Sequence, residues 1–240
     1  MPEALKGREV VVAGGSGGLG AALTGDLVAE GARVVVGYRS NGERAGRWRD
    51  SAVLVQADLA SASDRARLLD AAPSVYGLVV FAGDPARVPS PEAMEAAMLR
   101  SYEVNYAGPV LLAREAADRM QAAGNQGAIV LVSTMQANAL FAGSTAYAAQ
   151  KAALQHAARI LARERRGRSE IRVNVVSPGV MDAGMARASI ASGKYNRYID
   201  EGVICRFGRA EDVARAVRLL LEPDSYITGQ ILCVDGGMTL

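Results

Sequence analysis

The stretch from Val10 to Gly20 limits the possible folds of this chain more than any other. Three successive valines lead into a glycine-rich turn, and a helix-like segment follows over residues 21–30. Glycine lets the backbone take a positive φ and approach a phosphate closely, while a helix N-terminus offers unpaired N–H groups and a positive dipole. The stretch therefore predicts a strand, a tight turn and a helix that together can hold a phosphate group.

The glycines of this turn fit two motifs. Gly15, Gly17 and Gly20 match G-x-G-x-x-G, whereas Gly14, Gly18 and Gly20 match G-x-x-x-G-x-G. A P-loop would need Lys and then Ser or Thr after the last glycine, and two alanines follow instead. The alternative interpretation is a glycine-rich turn that binds no ligand. The rest of the chain must distinguish the two. The turn residues predicted to line the site are Gly14, Ser16, Gly17, Gly18, Leu19 and Gly20.

Composition excludes several classes of protein. Apolar residues make up 50% of the 240 residues, and the formal net charge of +2 gives no reason to expect nucleic acid or an anionic membrane as a partner. Cys205 and Cys233 have no metal-like spacing, which indicates free thiols in a reducing compartment and no metal site. We see no N-terminal leader pattern and no apolar run near the roughly 20 residues of a membrane span. A cytoplasmic location is therefore expected.

Seven apolar runs of strand length alternate with helical segments. The runs are continuous, as is typical of parallel strands covered on both faces. This alternation predicts one domain over residues 1–240, of the α/β class, with a doubly wound parallel sheet of about seven strands and helices on both faces. The predicted strands are 10–13, 33–37, 52–56, 78–81, 128–133, 172–176 and 231–234, and the helices after the first are 64–72, 91–98, 102–123, 146–165 and 211–221.

Ligands of such sheets bind beyond the carboxyl ends of the strands. After the second strand, Tyr38 stands where an acidic residue would hold the ribose of NAD, and the basic Arg39 suits the 2′-phosphate of NADP, although it could also be a surface arginine. Asp58 could lie along an adenine edge or cap the next helix. The predicted cofactor contacts after the strands are Tyr38, Arg39, Ser40, Asp58, Leu59, Ala82, Gly83, Pro178, Gly179 and Val180.

The sharpest local signal is the pair Tyr147 and Lys151, which an i, i+4 spacing places on one face of a helix. A phenol with a pKa of about 10 is a poor acid–base group at neutral pH, and a nearby ammonium would lower that pKa. Ser133 and Thr134 end the fifth predicted strand with hydroxyls that could bond a substrate carbonyl. Asn105 lies in a predicted helix, where asparagine is unfavourable unless its side chain has a role.

Together these motifs resemble the short-chain dehydrogenase/reductase family, close to the 3-oxoacyl-carrier-protein reductases, over nearly the whole chain. The Tyr–Lys spacing speaks against the enoyl-reductase branch, where it is wider. The resemblance implies a Rossmann-type domain that binds NAD(P), interconverts a small-molecule carbonyl and alcohol, and forms a homotetramer or dimer. Because of Arg39, we expect NADP(H) in preference to NAD(H). It rests on Gly14/Gly18/Gly20, Asp58, Asn105, Tyr147-x-x-x-Lys151, Pro178-Gly179 and the stretches 227–230 and 234–237.

The resemblance also implies roles for individual residues. Tyr147 would give a proton to the carbonyl oxygen as hydride arrives from the nicotinamide. Lys151 would hold the nicotinamide ribose and lower the Tyr147 pKa, and Asn105 would position a water that links Lys151 to solvent. The polar residue thirteen positions before the tyrosine is Thr134, with Ser133 as the alternative if the strand register shifts by one.

Three departures from the family pattern put cofactor affinity in doubt. Ala13, the pair Val80-Phe81 and Ala183 replace polar residues, and each loss removes a hydrogen bond worth about 0.5–1.5 kcal/mol. They motivate an alternative function, a cofactor-binding protein with lost or weak turnover that acts as a redox sensor or structural subunit.

The substrate pocket is expected from residues 135–144 and 181–198, with a lid within about 181–204 that Gly184 and Gly193 would make mobile. Met185, Tyr195 and Tyr198 indicate an apolar substrate or, equally, packing against a neighbouring subunit.

Overall fold

The protein folds around a seven-stranded sheet in the order β3-β2-β1-β4-β5-β6-β7, with every pairing parallel. This computed structural model describes residues 4–167 and 170–240, so positions 1–3 and 168–169 of the predicted domain lie outside the described residues. The predicted fold class and all seven strands are confirmed. The strands are β1 Glu9–Ala13, β2 Arg33–Tyr38, β3 Val53–Gln56, β4 Val75–Val80, β5 Gly127–Val132, β6 Ile171–Pro178 and β7 Ile231–Val234.

Helices cover both faces of the sheet. Three short helices, Gly42–Gly46, Arg187–Ala191 and Asn196–Asp200, were not predicted. The segment predicted as one helix over 102–123 is a π-helix, Tyr102–Ala107, followed by an α-helix, Gly108–Ala122. The helices are α1 Gly18–Ala29, α2 Gly42–Gly46, α3 Ala62–Asp70, α4 Met94–Ser101, α5 Gly108–Ala122, α6 Thr145–Glu164, α7 Arg187–Ala191, α8 Asn196–Asp200 and α9 Ala210–Leu221.

The valines of β1 explain why the strands are continuously apolar. Val11 joins the core beneath α5 and α6, with Leu112 and Leu154, while Val10 and Val12 join the core beneath α1 and α9. Successive side chains of a strand point to opposite faces, so a strand with helices on both faces needs an apolar residue at every position. The sheet is thus enclosed, and only the ends of its strands are open to a ligand.

Cys205 and Cys233 are exposed free thiols, as predicted. Over residues 4–167 and 170–240, no helix is long and apolar enough to cross a membrane.

Candidate active site

A cleft of about 1120 Å³ lies at the carboxyl ends of the strands, where the strand order reverses between β1 and β4. This is where open sheets of this order bind their ligands. Every residue predicted to be catalytic or to contact the cofactor lines the cleft, except Asn105, which is buried behind it.

The structure selects one of the two glycine motifs. Gly14 has a φ of 84°, and a β-carbon at Gly20 would lie 2.3 Å from the Gly14 carbonyl oxygen. A β-carbon at Gly18 would lie 2.5 Å from the backbone nitrogen of Gly184, whereas one at Gly17 would keep 3.3 Å from its nearest neighbour. Only glycine fits at Gly14, Gly18 and Gly20, because the backbone on either side cannot yield to a side chain. A β-carbon at Gly15 would also lie 2.9 Å from the Val12 carbonyl oxygen, so the two motifs differ in that all three glycines are required in the one that starts at Gly14, whereas Gly17 of the other has room for a side chain.

One end of the cleft, which we call the phosphate end, combines a helix N-terminus with two arginines. Helix α1 begins there, and its N-cap residue Gly17 supplies no side-chain cap, so its first N–H groups remain available to an anion. Arg39 and Arg44 line the same end, and the position of the family's acidic ribose ligand is occupied by Tyr38. Asp58 also lines the cleft, but it does not cap α3: its Oδ1 accepts from the N–H of Ala60.

Thr134 and Ser133 point to different partners. The Thr134 hydroxyl lies beside the Tyr147 phenol, where it acts to lower the phenol's pKa, and it accepts from the N–H of Gln136 at 3.3 Å. The Ser133 hydroxyl instead donates to the Lys151 carbonyl oxygen at 3.2 Å and accepts from Nε2 of Gln155 at 3.1 Å. The register of β5 therefore directs Thr134 to the tyrosine and turns Ser133 toward helix α6.

Burial sets the pKa values of Tyr147 and Lys151. It raises the pKa of Tyr147 to about 12, although the hydrogen bond with Thr134 acts to lower it. It lowers the pKa of Lys151 to about 8. The expected lowering of the Tyr147 pKa by Lys151 is therefore wrong for this structure. The Lys151 ammonium is instead directed at the carbonyl oxygen of Val132, at 2.9 Å, and the loss of water around the phenol dominates.

Asn105 lies in the π-helix rather than in a regular α-helix. Pro109, four residues on, has no N–H with which to bond the Asn105 carbonyl as an α-helix requires. The Asn105 side chain is engaged elsewhere: Nδ2 donates to the Asp84 carbonyl oxygen (2.8 Å) and to Ser101 Oγ (2.9 Å), and Oδ1 accepts from the Asp84 N–H (3.0 Å). Any water that Asn105 positions would therefore be held through its backbone carbonyl.

Two of the three departures from the family pattern, Ala13 and the pair Val80-Phe81, pack into the apolar cores. Ala13 and Val80 are fully buried in the core beneath α5 and α6, and Phe81 packs against the opposite core, beneath α1. The backbone connection persists, since the Phe81 N–H donates to the Ala13 carbonyl oxygen at 2.8 Å. The missing amides are replaced by apolar contacts, and no polar partner is left unpaired by them in the described part of the chain.

The substrate end of the cleft differs from the prediction in two respects. Tyr195 and Met185 line it, but Tyr198 packs outside it, in a cluster with Ile204 and Met238. The loop of residues 85–89, which follows β4, also lines the cleft and was not predicted. A signal was present in the two prolines of that loop, which restrict its backbone close to Gly83, but no spacing argument linked them to the site.

Comparison with known proteins places this geometry in a family. Residues 13–239 match a family model described as enoyl-(acyl carrier protein) reductase. The chain is 35% identical to cis-4-hydroxycyclohexanecarboxylate dehydrogenase of Sinomonas cyclohexanicum, covering 100% of this chain and 99% of that one, and 31% identical to NADPH-dependent aldehyde reductase 2 of Arabidopsis thaliana, covering 100% and 96%.

A solved short-chain type dehydrogenase/reductase from Mycobacterium ulcerans superposes with a TM-score of 0.88 at 27% identity, over 98% of this chain and 90% of that chain. The resemblance to 3-oxoacyl-carrier-protein reductases is only approximate, since these relatives are named for other substrates. The chain belongs to the short-chain dehydrogenase/reductase family of NAD(P)-dependent oxidoreductases.

Proposed function

We propose that the protein interconverts a ketone and a secondary alcohol with NADP(H), with Tyr147 as the acid and base. The observation that carries the proposal is that Tyr147, Thr134 and Lys151 share one cleft with an uncapped helix N-terminus. The bound nicotinamide would supply or accept the hydride. The names of the Arabidopsis and Sinomonas relatives, a reductase and a dehydrogenase, support the two directions of such a reaction.

Tyr147 is suited to give a proton to a carbonyl oxygen. With a pKa of about 12, the phenol holds its proton at neutral pH and can release it from Oη only as negative charge develops next to it. The Thr134 hydroxyl lies beside the phenol and can donate to the same developing charge.

Lys151 would orient the cofactor and carry protons. The bond to Val132 uses one of its three ammonium protons and leaves two without a partner among the residues that the structure describes, available for ribose hydroxyls. A pKa of about 8 lets Nζ exchange a proton near neutral pH. The Asn105 carbonyl, which Pro109 cannot bond, is our candidate for the group that holds the relay water.

Arg39 and Arg44 would give NADP its preference over NAD, since they line the phosphate end without an acidic competitor for the ribose. The segment over 181–204 would act as a lid, and the contact of Gly184 with Gly18 would be its closed position over the cofactor. Assembly into a homotetramer or dimer remains a prediction from the family resemblance, and a cytoplasmic location remains a prediction from the sequence pattern.

Substitution of Tyr147 by phenylalanine tests the proposal. It removes one hydroxyl, so we expect kcat for carbonyl reduction to fall by about 10²–10⁴-fold while the Kd for NADPH changes less than about threefold. Tyr226→Phe, at a fully exposed tyrosine, is the matched control. Activity of Tyr147→Phe equal to that of the wild type would overturn the role of Tyr147. A wild type that binds NADPH but reduces no ketone or aldehyde would favour the binding protein without turnover.

A further inference from the structure

We propose that the substrate carries an anionic group, a carboxylate or a phosphate, which Arg87 and Lys194 receive at the substrate end of the cleft. This inference rests on the proposed function and deepens it, because it names the class of carbonyl compound that the site would take.

The cleft is far more positive than the protein as a whole. The chain has 27 basic and 25 acidic residues, which nearly cancel. The positions of Arg39 and Arg44 assign them to the cofactor phosphates, and Lys151 stands beside the catalytic tyrosine, so Arg87 and Lys194 remain without a role. The basic residues that line the cleft are Arg39, Arg44, Arg87, Lys151 and Lys194, and the acidic one is Asp58.

Neither Arg87 nor Lys194 has a carboxylate partner within the described residues. Lys194 only lies over the ring of Tyr195, 5.6 Å from its centroid. The nearest acidic residue along the loop from Arg87, Asp84, already pairs with Arg100 at 3.3 Å. An unpaired guanidinium and an unpaired ammonium on the walls of a concave site attract an anion more strongly than they would on a flat surface.

The backbone that presents Arg87 is held in a strained conformation. Ala86, buried and next to it in the chain, has a φ of 46°, in the left-handed region that disfavours alanine. The Ala86 N–H donates to Asp84 Oδ1 at 2.7 Å, and the Asn105 side chain forms hydrogen bonds with both the N–H and the carbonyl oxygen of Asp84. Such strain persists only where surrounding contacts enforce it, and it concentrates at functional sites. Arg87 thus leaves the loop from a fixed point on the cleft wall.

Arg87 and Lys194 are exposed to solvent, and apolar side chains line the same cleft. A ligand with an apolar body and one anionic end matches this combination, whereas a neutral ketone offers neither cation a counter-charge. The apolar and aromatic residues at this end of the cleft are Val88, Val104, Met135, Phe141, Met185 and Tyr195.

The test compares three ketones that differ only in one substituent: 4-acetylbenzoate, 4-acetylphenyl phosphate and the neutral 4-acetylbenzamide. For the wild type we expect kcat/KM with NADPH to be at least about tenfold higher for one of the anions than for the amide. Arg87→Gln and Lys194→Gln should each lower that ratio about fivefold, and the double variant should bring it near one. Arg159→Gln, at an exposed arginine of α6 outside the cleft, should leave the ratio as it is. The preferred anion identifies carboxylate or phosphate.

A binding measurement separates failure of this inference from failure of the proposed function. Benzoate, phenyl phosphate and benzamide are titrated by calorimetry into protein saturated with NADP⁺, so that the cofactor phosphates occupy Arg39 and Arg44. An anion that binds about tenfold tighter than benzamide, and loses that advantage in the double variant, supports the anion site even if no ketone is reduced, in which case the proposed function is wrong. Equal kcat/KM for the three ketones, or anion binding that the double variant leaves intact, overturns the inference while carbonyl reduction stands.

Discussion

Replacement of Thr134 by valine is the sharpest test of the catalytic geometry, because the sequence left Thr134 and Ser133 as alternatives. Valine keeps the shape of threonine and removes the hydroxyl that lies beside the Tyr147 phenol and accepts from the Gln136 N–H at 3.3 Å. A hydrogen bond to a charged group is worth about 1.5–3 kcal/mol, and each 1.36 kcal/mol is a factor of ten, so we expect kcat/KM to fall about 10- to 150-fold. The loss should appear mainly in kcat, because the charge develops in the transition state.

Two matched variants complete this experiment, which measures kcat and KM for NADPH-dependent ketone reduction. Thr134→Ser restores the hydroxyl and should recover most of the activity. Ser133→Ala removes the bonds to Lys151 and Gln155, so it should lower the free energy of unfolding by about 1–3 kcal/mol, measured in urea, and change kcat less than about threefold. Our interpretation of the site is refuted if Thr134→Val stays within threefold of the wild type, or if Ser133→Ala loses more kcat.

Three further predictions concern the cofactor and the buried charge. Arg39→Ala should raise the Kd for NADPH about tenfold or more but the Kd for NADH less than threefold. Both constants are measured by fluorescence titration, with Arg49→Ala, at an exposed arginine, as the control. An equal rise of the two constants would show that Arg39 does not bind the 2′-phosphate. Gly18→Ala would place a β-carbon 2.5 Å from the Gly184 nitrogen, so hydrogen exchange over 184–186 should accelerate. The control is Gly25→Ala, whose β-carbon would lie 3.4 Å from the Trp48 ring; it should leave that exchange unchanged and stabilise α1 by about 0.5–1 kcal/mol. Unchanged exchange in Gly18→Ala would contradict the closed contact. The pKa of Lys151 is about 8 in the folded protein and 10.5 ordinarily, so between these pH values the unfolded chain binds more protons than the folded one. The free energy of unfolding should therefore rise with pH from about 8 to 10.5, by up to about 1.4 kcal/mol per pH unit. Lys151→Met should abolish this rise.

Local sequence patterns were enough to predict the sheet and the position of the site. The valines of β1 and the other continuous apolar runs predicted the strands, because only strands covered on both faces need an apolar residue at every position. The ends of those strands then located the cleft, since parallel strands bring all their carboxyl ends to one edge. Tyr147 and Lys151 were recognised because one helical turn is a local geometry.

The chemical state of the site could not be predicted in this way. The spacing of Tyr147 and Lys151 places them on one face, but burial by distant segments raises one pKa, lowers the other and directs the ammonium to Val132. The strained turn at Ala86 likewise depends on Asp84 and on Asn105, 19 positions later in the chain.

The sequence alone determined the class of fold, the carboxyl-end location of the site and the identity of its main groups, because these follow from periodicities and spacings within single elements. Only the tertiary structure placed Thr134 beside Tyr147 and turned Ser133 toward helix α6, and it alone brought Arg87 and Lys194 to the same cleft. Desolvation, side-chain direction at a strand end and the meeting of remote loops all depend on atoms far apart in the chain, and no local pattern encodes them.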